Sequence, residues 1–131
     1  MDELLAMSRS ADTGNRVDAV QALGRRIDQP DAFHRLTEML RDQNVTVMVD
    51  AAEMLARRGG NGGVRAVIEE LGRTADDPDA DYIMYKLEEL EALGEVPILR
   101  IARALLASEE SADFRAGLID VENYMGHHNP K

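Results

Sequence analysis

Val17-Asp18-Ala19-Val20-Gln21-Ala22-Leu23-Gly24-Arg25-Arg26 returns thirty-two positions later as Val49-Asp50-Ala51-Ala52-Glu53-Met54-Leu55-Ala56-Arg57-Arg58, with six of the ten positions identical. Self-similarity at a period of 20 to 50 residues marks a chain built from stacked supersecondary units. Each unit buries its apolar face only against its neighbours. The expected fold is an all-α stack of helical hairpins, which presents long shallow surfaces suited to binding rather than catalysis.

Reading outward from that stretch, Val17, Val20, Leu23 and Ile27 form one helical stripe, and Pro30 suits the first position of a return helix carrying Phe33, Leu36, Met39 and Leu40. Val45, Val49, Ala52 and Leu55 repeat the first stripe. Val64, Val67, Ile68 and Leu71 repeat the return face, matching Ala32, Arg35, Leu36 and Met39 with one break, Arg35 against Val67. Gly59-Gly60-Asn61-Gly62-Gly63 between them reads as a hairpin turn, because four glycines in five residues oppose helix. A third unit places Ile83, Leu87 and Leu90 inward, with Leu87 one period beyond Leu55, then Gly94 as a stop and a return helix with Ile98, Ile101, Leu105 and Leu106. Units over about 10–42, 43–75 and 76–107 follow, preceded by a short capping helix at Leu4, Leu5 and Met7. A last helix over about 109–125, with Phe114, Leu118, Val121 and Tyr124, closes the stack without an obvious partner, and residues 126–131 are expected to fray.

One domain of 131 residues accommodates this plan. The core must be aliphatic, since the chain has two Phe, three Tyr and no Trp. With no cysteine, disulfides, thiolate nucleophiles and Cys-type zinc sites are excluded. Met1-Asp2-Glu3-Leu4-Leu5 lacks the basic and long apolar regions of a signal peptide, and no apolar run approaches the roughly 18 residues of a membrane span, so a cytoplasmic protein is expected. The net charge of −10 is lopsided: residues 1–65 carry ten acids and nine arginines, whereas residues 66–131 carry fifteen acids and six bases. That sign repels phosphate backbones and anionic lipid, and it attracts basic proteins.

The repeat unit resembles HEAT-like repeats, especially the short bacterial variety. Val49-Asp50-Ala51-Ala52, Leu55, Gly59-Gly60 and Ala66-Val67-Ile68-Glu69-Glu70-Leu71 carry the likeness, which extends over about residues 10–107. It implies a right-handed α-solenoid, or α-α superhelix, of about three to four hairpins. The first unit departs from the pattern with Asp28 to Pro30 in place of the turn glycine, and the third has Asp81-Tyr82 where Val-Asp would stand. Asp18 and Asp50 are expected to cap helices or hydrogen-bond within the stack.

No residue set reads as a catalytic centre. His34 lies on the polar side of its helix with no Ser, Lys or carboxylate in a recognisable arrangement beside it. The glycine run lacks the Lys-Ser/Thr and preceding strand of a phosphate loop. Asp77, Asp79, Asp81 and Glu88 occupy positions 1, 3, 5 and 12 of a would-be calcium loop, but Tyr82 stands where glycine must make the turn. An acidic helix start accounts for them more simply. His127, His128 and Asn129 in the tail read as adventitious ligands, so no metal and no cofactor is expected. Arg25-Arg26 and Arg57-Arg58 suit helix C-termini. A groove like that of HEAT-like DNA-repair enzymes would need a positive face and stacked aromatics, which the net charge and missing Trp oppose.

The remaining candidate is a protein-binding face: Asp77, Asp79, Asp81, Tyr82, Tyr85, Glu88, Glu89, Glu91 and Glu95, with Asp76 beside them. Tyrosine supplies contact area and a polar tip, and acids steer a basic partner. A small acidic helical domain of this kind looks like the immunity proteins that bacteria pair with secreted toxins, including those of contact-dependent inhibition. The resemblance implies a basic, nuclease-type toxin domain as partner. The competing expectation is a scaffold or adaptor within a regulatory complex.

Overall fold

The computed structural model describes residues 1–108 and 111–125. Among them are eight helices and no strand: α1 Asp2–Met7, α2 Thr13–Gly24, α3 Pro30–Met39, α4 Val45–Arg58, α5 Gly60–Arg73, α6 Ala80–Ala92, α7 Ile98–Leu106 and α8 Ala112–Met125. The expected all-α solenoid type of arrangement is what the chain adopts. None of these helices is long and apolar enough to cross a membrane.

Local chemistry sets the helix boundaries. Asp12 accepts the Asn15 N–H at 3.2 Å to start α2, and Asn44 accepts the Thr46 and Val47 N–H groups at 2.9 and 3.3 Å to start α4. Pro30 opens α3, where its missing N–H costs nothing. These caps correct the expectation for the repeated aspartates: the side chains of Asp18, exposed, and Asp50, half-buried, make no hydrogen bond among the described residues.

The helices α2, α4 and α6 lie side by side, α3 and α5 pair with the helices before them, and one continuous core runs through the stack. Leu23, Leu55 and Leu87, each one period apart, are fully buried on the three leading helices. Leu36 and Ile68 hold the equivalent place on α3 and α5. The period also carries an ion pair: Arg9 meets Glu38 at 3.5 Å, and Arg41, thirty-two residues on, meets Glu70 at 3.2 Å. In the next register the acid is replaced by Ala102, so Arg73 turns back to Glu70 at 2.5 Å and the ladder ends. The Arg35 mismatch has a cause as well. Its guanidinium donates to the fully buried Ser8 hydroxyl at 2.8 Å and to the Ser8 carbonyl at 3.0 Å, clamping the end of α1 against α3.

Further expectations are corrected. The glycine run is not a five-residue turn: the chain reverses at Gly59 and Gly60, the latter at φ +65°, and Asn61, Gly62 and Gly63 already belong to α5. Tight packing outweighs poor helix propensity here, because a side chain at Gly63 would overlap the Leu55 carbonyl and force α4 and α5 apart. Gly62 is different, since a Cβ there meets only Phe33 at 3.8 Å. Gly62→Ala should therefore raise the unfolding free energy by about 0.5–1 kcal/mol, read as a higher urea midpoint at unchanged slope.

The second correction concerns α8. It does have a partner: it packs antiparallel along α5 more extensively than any other two helices in the fold meet. Gly72 on α5 and Gly117 on α8 face each other at the crossing, where a Cβ on either would run into the opposite backbone. Ser111 starts α8 by accepting the Phe114 N–H at 3.1 Å, and its hydroxyl donates to Glu69 of α5 at 2.8 Å. Of the stripe expected on α7, Ile98 is buried and Ile101 and Leu105 are half-buried, whereas Leu106 is exposed; Leu99 and Ala102 fill the inward face instead. Residues 109 and 110, expected to begin the last helix, and the tail with His127 and His128 lie outside the described residues.

Candidate protein-interaction surface

The residues that suggested a binding face divide into two groups once folded. Glu88, Glu89, Glu91 and Glu95 are all engaged within the molecule. Glu88 accepts the Tyr124 hydroxyl, Glu89 pairs with Lys86 at 2.8 Å, Glu91 accepts the Leu99 N–H at 2.9 Å, and Glu95 pairs with Arg57. The Glu91 bond serves α7, whose preceding residue, Pro97, offers no capping side chain. Asp76, Asp77, Asp79 and Asp81 are exposed and carry no ion pair among the described residues. Asp77 accepts the Asp79 N–H at 2.9 Å in the turn before α6, and Asp81 occupies the first turn of that helix.

A calcium loop is not formed. Because α6 begins at Ala80, Asp81 and Glu88 are carried about 10 Å apart along the helix axis. Among the described residues, no group of three or more acids or histidines is placed to hold a metal ion. His34 is exposed, 3.3 Å from Glu38 on the same helix.

The aromatic component is where the fold adds something new. Tyr82 and Tyr85 stand outward on α6, each about half exposed, with ring centroids 6.2 Å apart and planes at 85°. Tyr85 then meets Tyr124 of α8 at 5.9 Å and 44°. Both separations fall in the favourable range for aromatic pairs, so the three rings form one ladder across two helices. Tyr124 is half-buried, and burial followed by the neighbouring Glu88 pushes its phenol pKa up, keeping the hydroxyl protonated as a donor.

Between α6 and α8, below the ladder, lies an open cleft of about 380 Å³ whose walls include Asp81, Met84, Asp120, Asn123 and Tyr124. Asp120 and Asn123 were not among the sequence candidates. Their only signal was a position four residues (Asp120) and one residue (Asn123) before Tyr124 on one helix, and nothing local places that helix beside α6.

Elsewhere, a cleft of about 410 Å³ gathers Arg9, Arg16, Arg35 and Arg41. Every one of these cations is already committed. Arg16 clasps Asp42 at 2.9 and 3.1 Å and Arg35 and Arg9 share Glu38, which ties the first unit and the segment before it together, while Arg41 takes Glu70 and joins the first unit to the second.

Between α4 and α6, Glu53 accepts from Arg57 at 2.7 Å and lies 3.7 Å from Lys86. Asp50, one turn before, has its pKa raised by burial and by Glu53, against the opposing pull of Lys86. A carboxyl raised in the fold binds its proton more tightly folded than unfolded, so its ionised form weakens the fold at neutral pH. Asp50→Asn should accordingly raise the urea midpoint at pH 7. That gain should vanish as pH falls through the Asp50 pKa, because the native carboxyl is then neutral as well.

No curated protein and no solved structure gives a significant match to the chain. Residues 1–91 match the family of HEAT repeats, which covers α1 to α5 and most of α6. With the thirty-two-residue period, the paired helices and this match over most of its length, the chain belongs to the HEAT-repeat family.

Proposed function

We propose that this chain acts as a single non-catalytic domain that binds a basic protein through the α6–α8 face, and that its partner is a nuclease-type toxin domain which it neutralises as an immunity protein in the cytoplasm. HEAT repeats commonly mediate protein–protein contacts, which supports the binding role at the coarser level. The observation that carries the finer reading is the Tyr82–Tyr85–Tyr124 ladder, its first two rings exposed, set among aspartates that have no ion pair among the described residues. Large rigid side chains provide affinity at the centre of an interface, and uncompensated carboxylates speed the approach of a basic surface. A nuclease cleft built for phosphates is a surface of that kind. The alternative is a scaffold or adaptor bridging other proteins, for which family membership suffices.

Capture on the intact chain, followed by nuclease assay of the captured protein with and without added chain, tests the proposal. The expected result is a basic nuclease inhibited in stoichiometric complex. Asp81→Lys combined with Asp120→Lys should slow its association about tenfold at low ionic strength, with the difference shrinking as salt is added. Tyr85→Ala should cost about 2 kcal/mol of affinity, mainly through faster dissociation. A partner without nuclease activity points to the adaptor role. Association indifferent to both changes rules this face out as the binding surface.

A further inference from the structure

The cleft between α6 and α8 is more specific than the face around it. Its lining joins the apolar side chains of Leu71, Ala75, Ala80 and Met84 to Tyr124, with one aspartate from each helix, Asp81 of α6 and Asp120 of α8, and Asn123 of α8. Neither aspartate has a cation partner among the described residues, although Glu53, Glu89 and Glu95 have found one. At about 380 Å³ the space is at the small end for a ligand site and open to solvent.

We propose that this cleft receives a single arginine side chain projecting from the basic partner, its guanidinium bridging Asp81 and Asp120 and lying on the Tyr124 ring. The inference rests on the binding face argued above and names the chemistry that face selects. Guanidinium suits the site better than ammonium for three reasons. Its planar fork of donors can satisfy two carboxylates at once, its weakly hydrated faces stack on an aromatic ring, and its methylene stem packs on an apolar lining. The hydroxyl of Tyr124 is already held by Glu88, which keeps the ring oriented in the lining.

Titration of the isotope-labelled chain with N-acetyl-arginine methylamide at low ionic strength, followed by amide NMR, tests this. The citrulline and lysine methylamides serve as controls. Saturable shifts at Asp81, Asp120, Asn123 and Tyr124 are expected for arginine. Binding about tenfold weaker is expected for citrulline, which keeps the shape and loses the charge, and for the Asp81→Asn/Asp120→Asn double variant. Unchanged amide spectra away from the cleft will show that this near-isosteric variant is folded. Equal binding of the lysine or citrulline amide, or shifts that grow linearly and spread over the whole acidic surface, overturns the assignment. If charge reversal abolishes partner binding while the cleft does not distinguish arginine from citrulline, the arginine site falls and the acidic face stands. If arginine binds saturably while partner association is indifferent to charge reversal, the arginine site stands and the acidic face falls.

Discussion

Gly117→Ala lowers the stability of this protein by about 2–3 kcal/mol, a fall in Tm on the order of 10 °C, although the same change in an exposed helix interior would stabilise by about 1 kcal/mol. The sign inverts because the space a methyl group would need is occupied by backbone. A Cβ at Gly117 overlaps the Ile68 carbonyl and comes within 3.0 Å of the Gly72 nitrogen. A Cβ at Gly72 overlaps the Asp113 carbonyl and comes within 2.7 Å of the Gly117 nitrogen. Carbonyls inside helices cannot rotate aside as a flexible side chain can, so α8 must move off α5 as a body. Gly72→Ala is expected to cost a similar amount. Once one methyl has separated the helices the second clashes less, and the double variant should cost clearly less than the sum of the two. Chemical denaturation of the three variants checks both the magnitude and the non-additivity, with Gly62→Ala on the same chain as the stabilising control.

Phe114→Ala should cost about 3–5 kcal/mol, a large part of the 5–15 kcal/mol by which a domain of this size is ordinarily stable. Phe114 is fully buried and one turn from Gly117 on the face of α8 that meets α5, next to the Ser111 cap. Its removal takes away the ring that anchors α8 at its N-terminal end and leaves a cavity beside a crossing too tight to collapse into it. Phe114→Leu, which keeps much of the volume, should lose less than about 1.5 kcal/mol. Hydrogen exchange separates loss of α8 from loss of the whole fold: in Phe114→Ala, amides of α8 and α5 should lose protection, while those of α2 and α4 should keep more of theirs. Equal loss throughout would mean that α8 has no independence from the stack.

The same crossing explains why the proposed binding face was only partly visible in the chain. Tyr82, Tyr85 and the aspartates of 76–81 could be chosen from spacing and charge, because they are neighbours in sequence and fall on exposed positions of one helix and its leading turn. Of the four glutamates of 88–95, Glu89 pairs with Lys86 one turn before it on the same helix, whereas Glu88, Glu91 and Glu95 could not be told from the aspartates. Whether those three are free or spent depends on what the fold brings to them: Tyr124, the Leu99 N–H and Arg57. Tyr124, Asp120 and Asn123 joined the face only when α8 lay down against α5 and thereby came alongside α6.

Sequence by itself determined the repeat: the thirty-two-residue period, the helical pairing, and the buried Leu23, Leu55 and Leu87, all of which rest on periodic apolar positions and local caps. Tertiary structure alone decided that Gly63, Gly72 and Gly117 admit close helix crossings, that α8 packs on α5, and which acids have no ion pair among the described residues. The physical reason is one of range. Periodicity and capping act within a turn or two of the chain, whereas backbone approach and the pairing of charges from different helices depend on atoms that are adjacent only after helices far apart in sequence have packed.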